Sequence, residues 1–131
     1  MKRMSLKKFG RIVAEVMDTL PAEFQPYLHN LVVDVEEEPD VHTLRQMGFT
    51  DEEIAAGETL YGLFVPLPMP PLGSGDDLDQ PHRIIIYKRP LEEDFPDRDE
   101  LIDQIRKTVI HELAHHFGYT DEDLRRWTSV Y

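Results

Sequence analysis

The chain has 131 residues, a formal net charge of −12, 40% apolar and 9% aromatic residues, and no cysteine. That length serves a single domain, 1–131, around one core, and the composition fits a soluble globular protein. The acidic balance repels phosphate backbones, so no nucleic-acid partner is expected, and the lack of thiols excludes disulfides and thiolate metal sites, as suits a reducing compartment.

Charges at Lys7, Lys8, Arg11 and Glu15 interrupt the N-terminal segment. Neither a cleavable signal nor a membrane span is expected, and cytoplasmic residence as a monomer is the default. Ser5 is placed to cap a first helix, in which Leu6, Phe9, Ile12, Val13, Val16, Met17 and Leu20 recur at helical spacing. Pro21 ends that helix and opens a short second one over 22–29. Leu31–Val35 reads as a strand and is closed by Glu36-Glu37-Glu38 and Pro39. The acidic run, like Glu92-Glu93-Asp94, is expected to be a solvated surface. Val41–Met47 is expected to be helical and to stop at Gly48; Thr50-Asp51-Glu52-Glu53 has the capping-box pattern of another short helix. Leu60–Val65 is a second strand, and 66–81 has the composition of a long loop, a candidate lid over a site. His82–Lys88 is the clearest strand, because Ile84, Ile85 and Ile86 run without a polar break, as in a strand buried on both faces. Pro96 and Asp97 open the next helix, with Glu100 as the capping partner; Ile102, Ile105, Val109, Leu113 and Phe117 form its apolar stripe. Leu124, Trp127 and Val130 suggest a short terminal helix.

That last long helix carries His111-Glu112-Leu113-Ala114-His115. Positions four apart on a helix share a face, so the two imidazoles can grip one metal ion, while Glu112, offset by roughly 100°, sits beside it as a base for water. The chain continues His116-Phe117-Gly118-Tyr119-Thr120-Asp121. Glycine at the end of a helix turns the chain, so Asp121 can return toward the metal as a third ligand. His111, His115 and Asp121 form a zinc-type donor set with one position left for water. Asp121 has a second reading, because Thr120 to Leu124 also resembles a helix start capped by Thr120 or Asp121; Glu122 is then the substitute ligand. His116 falls on another face, and Tyr119 is either an oxyanion donor or packed.

The pattern H-E-x-x-H-x-x-G-x-x-D resembles the zincin metallopeptidases, and most closely the small bacterial zincin-like metallopeptidases known as minimal zincins. Leu60-Tyr61-Gly62-Leu63-Phe64, Arg83 through Leu91, and Thr108-Val109-Ile110 also carry the resemblance. It implies an α+β, zincin-like minimal fold: a small mixed sheet of about three or four strands packed on helices, with the active-site helix near the C-terminus. It implies zinc at His111, His115 and Asp121, Glu112 as general base, and a peptide or protein substrate drawn onto a sheet edge near the metal helix. Larger metzincin-type proteases differ in having a histidine at the position of Asp121 and a methionine turn after the site; the last methionine here is Met69.

The expected activity is hydrolysis of peptide bonds by metal-activated water, with Glu112 taking the water's proton and passing it to the leaving amine. The alternative is a zincin-like module that binds metal and acts through protein partners without turnover. A third reading, an RNA hydrolase, rests on a related H-x-x-x-H-x-x-G-x-x-H pattern; it lacks a role for the central glutamate and conflicts with the charge of −12.

Overall fold

The structure is a computed structural model that describes residues 3–28, 31–66, 82–116 and 122. Helix α1, Leu6–Met17, begins where Ser5 accepts a hydrogen bond from the Lys8 amide. Its Phe9, Ile12, Val13 and Val16 are buried, as the spacing predicts. After Pro21 the expected helix over 22–29 takes a tighter form, a 3-10 turn at Ala22–Phe24 and the single-turn helix α2, Gln25–Leu28. Strand β1 is Leu31–Glu36.

Two short helices follow, each delimited by residues visible in the sequence. Helix α3, Val41–Gln46, starts at Asp40, whose carboxylate accepts from the Thr43 amide at 2.7 Å. That bond holds the Asp40 carboxyl below its ordinary value. Gly48, with φ of +96°, lets the Gly48 amide reach the Arg45 carbonyl and the Phe49 amide the Leu44 carbonyl, a Schellman closure. Helix α4, Asp51–Ala55, has the complete capping box between Thr50 and Glu53.

Strand β2 is Gly62–Pro66 and β3 is His82–Tyr87. Among the described residues they form a three-stranded mixed sheet in the order β1-β3-β2. β3 lies in the centre, parallel to β1 with Val33 opposite Ile84, and antiparallel to β2 with Leu63 opposite Ile85. Its isoleucines are buried, which explains the unbroken apolar run.

The strand expected to reach Lys88 stops one residue earlier, and Lys88–Asp94 forms a helix, α5, that the sequence did not announce. Pro90 and three successive acids argue against a helix locally, but Pro90 lies in the first turn, where a proline is tolerated. Tertiary contacts hold the turn in place. The buried Lys88 ammonium meets Glu92 at 2.7 Å and Glu37 at 3.3 Å, and the Arg89 amide donates to the Glu37 carbonyl at 2.8 Å. The acidic runs are therefore not merely solvated. Glu36 lies 3.6 Å from Arg83, Glu38 pairs with Arg89, Glu93 with Arg3, and Asp94 accepts from the Tyr61 phenol.

Helix α6, Arg98–His116, starts where Asp97 accepts from the Glu100 amide at 3.1 Å. It packs against α1, α5, β2 and β3. Ile105, Val109 and Leu113 are buried as expected, and Leu101, Ile110 and Ala114 join them; Ile102 is half-buried. The architecture is the α+β arrangement expected, a small mixed sheet with helices packed on it. No helix among the described residues is long and apolar enough to cross a membrane. The expected loop at 66–81, apart from Pro66, and the expected terminal helix around Trp127 lie outside the described residues.

Candidate functional site

Helix α6 buries one face, and this decides which of its residues reach solvent. Ile110, Leu113 and Ala114 face the core, whereas His111 is exposed and Glu112 half-buried. The helix continues unbroken to His116, so His115 lies one turn beyond His111 on the same element.

The neighbour of this turn is β2. Its approach depends on Gly62: a β-carbon there would lie 2.7 Å from the Thr108 methyl on α6 and 3.3 Å from the Ile85 carbonyl. The Thr108 hydroxyl donates to the Gln104 carbonyl at 2.8 Å, which fixes the rotamer of this β-branched side chain and aims its methyl at the strand. Gly62 thus sets how closely strand and helix sit.

Clefts open on both sides of the His111–Glu112 pair. One, of about 330 Å³, is lined by Thr59, Tyr61, Gln104, Lys107 and Thr108. The other, of about 490 Å³, is lined by Met47, Leu63 and Phe64. Both include Leu60, Gly62, His111 and Glu112. The first carries polar groups, with Lys107 held by Asp103 at 3.0 Å. The Tyr61 phenol donates to Asp94 and its ring meets Phe95 edge-on at 5.8 Å. That hydrogen bond, with some burial, pushes the Tyr61 pKa up to about 12.

The family model of zincin-like metallopeptidases matches residues 28–129. The chain belongs to this family. A solved structure with a similar fold is a conserved hypothetical protein from Thermus thermophilus, with a TM-score of 0.54 and 22% identity over 86% of this chain and 94% of that one. No curated protein matches.

Within this zincin-like chain, His111, Glu112 and His115 lie on one helix, and Asp121 lies outside the described residues. Among the described residues no group of three or more His, Cys, Asp or Glu is arranged to hold a metal ion. The donors do fit zinc chemically: two histidines one helical turn apart, the first of them exposed, and a nearby carboxylate that is not required as a ligand. Sequence reasoning missed Met47, Gln104, Lys107 and Thr108 as cleft residues. Only Thr108 had a signal, as part of the segment leading into the motif.

Proposed function

We propose that the chain is a zinc-dependent metallopeptidase, in which His111, His115 and Asp121 hold the metal and Glu112 is the general base. The supporting observation is that His111 and Glu112 together line two clefts that meet between α6 and β2. When bound, zinc supplies Lewis acidity, making water ionisable near neutral pH and polarising a substrate carbonyl. Glu112 accepts the proton of the attacking water and delivers it to the leaving amine. Its half-buried position on the helix keeps it beside both clefts.

Strand β2, an edge of the sheet among the described residues, is where a peptide or protein substrate is laid. The Tyr87 amide donates to the Tyr61 carbonyl at 2.9 Å, so the antiparallel alternation turns the backbone polar groups of Gly62 away from β3. An extended peptide added there gains main-chain hydrogen bonds, and its scissile bond comes next to Glu112.

The reading is tested by Glu112→Gln, which keeps the side chain's shape and removes the base. Hydrolysis of a peptide library should fall by about 10²- to 10⁴-fold with zinc still bound. Full hydrolysis in this variant overturns the mechanism. Zinc content, measured on the purified protein, should fall in His115→Ala; equal zinc in both proteins removes the proposed ligand set.

A further inference from the structure

The two clefts beside Glu112 differ in the side chains that line them, and the difference bears on what the site accepts. The larger holds Met47, Leu60, Leu63 and Phe64 and, among the described residues, no ionisable side chain besides His111 and Glu112. Met47 is 49% exposed, one of three large hydrophobic residues exposed to this degree among the described residues. It is not a loose surface residue. Met47 is the C-cap of α3, its amide donating to the Thr43 carbonyl at 3.0 Å, and the closure at Gly48 fixes where the helix stops. A firmly closed helix end therefore presents a polarisable, adaptable thioether to a cleft that Leu60, Leu63 and Phe64 also line, together with Glu112.

We infer that this cleft is a specificity pocket for one large apolar side chain, aromatic or aliphatic, of a peptide laid along β2, and that Met47 determines the preference. The inference rests on the peptidase reading and adds a substrate class to it. A volume of about 490 Å³ leaves room for a phenylalanine side chain, and the unbranched Met47 can adapt its thioether to what enters. Among Met47, Leu60, Leu63 and Phe64, away from His111 and Glu112, a polar or charged side chain would lose water without gaining a partner from those side chains.

The test uses the full chain as Glu112→Gln, loaded with zinc, and two fluorescently labelled heptapeptides that differ only in a central Phe or Ser. Fluorescence anisotropy should show the Phe peptide binding at least about tenfold more tightly. Met47→Asn should bring the ratio close to one and Met47→Leu should restore it. Leu60→Asn, outside any helix or strand, should act like Met47→Asn. Circular dichroism confirms that each variant is folded. Equal binding of the two peptides, binding of neither, or an unchanged ratio in Met47→Asn overturns the inference. The peptidase reading fails separately: discrimination by Met47 without cleavage by the wild-type chain removes the hydrolysis and leaves the pocket, while cleavage indifferent to Phe or Ser removes the pocket alone.

Discussion

The two outer strands of the sheet, among the described residues, are built on opposite principles. β1 carries Asp34 and Glu36 and is tied to its neighbour by Arg83, which meets Asp34 at 2.6 Å; just beyond it, Glu37 and Glu38 are clasped by Lys88 and Arg89. β2, Gly62–Pro66, contains no charged residue and runs past the only turn of α6 among the described residues that shows both an exposed histidine and a half-buried glutamate. Charge on an edge strand discourages pairing with another chain, and an uncharged edge permits it. The comparison teaches that the ion pairs gather on the β1–α5 side, while β2, beside α6, carries none of the charge that would discourage an added strand.

The largest effect is expected where the charges are buried. Lys88 is only 3% exposed, and Lys88→Ala leaves Glu92, itself almost covered, without its cation. A loss of about 3–5 kcal/mol in urea unfolding is expected. Replacing the pair together, as Lys88→Met with Glu92→Leu, should recover most of it. Were Lys88→Ala to cost nothing, the β1–α5 clamp would be ornamental and the contrast between the two sides would disappear.

Gly62→Ala probes the other side with a smaller change. Its methyl meets the Thr108 methyl inside van der Waals distance, so a cost of about 1–3 kcal/mol is expected. Thr108→Ser keeps the hydroxyl bonded to Gln104 and removes the obstructing methyl. The double variant should therefore be more stable than Gly62→Ala alone, a coupling that a double-mutant cycle measures. Additive effects would mean that this contact does not set the spacing of β2 and α6.

Tyr61 joins the two sides, lining the smaller cleft while its phenol donates to Asp94 at the end of α5. Its pKa is pushed up to about 12, chiefly by that bond, and burial does the same for Tyr87. Between pH 10 and 12 the folded chain keeps protons that unfolded tyrosines release. Stability is thus fully present below about pH 10 and declines as pH rises toward 12. Urea midpoints followed through that range, with tyrosinate absorbance as a second readout, should show the decline. Tyr61→Phe should make it shallower, and an identical pH profile in the variant would mean that Tyr61 does not link the sides.

Much of this was legible from neighbouring residues. Helix α1 follows from its apolar spacing and Ser5, α4 from its capping box, the end of α3 from Gly48, and the central place of β3 from its three isoleucines. The H-E-x-x-H spacing, within five residues, was enough to single out the candidate site. Such signals act over one or two turns, where the backbone's own period and its unsatisfied polar groups decide the outcome.

Other features depend on residues far apart in the chain. Helix α5 has weak local support and is held by Glu37, 51 positions away from Lys88. The parallel pairing of β1 with β3, the close approach of β2 to Thr108 through Gly62, and the presence of Met47 beside Glu112 have no local signature. The sequence could name the candidate residues because helical spacing is a local property. The shape of the cleft around them was settled by packing, since burial and ion pairing join segments that the chain itself keeps apart.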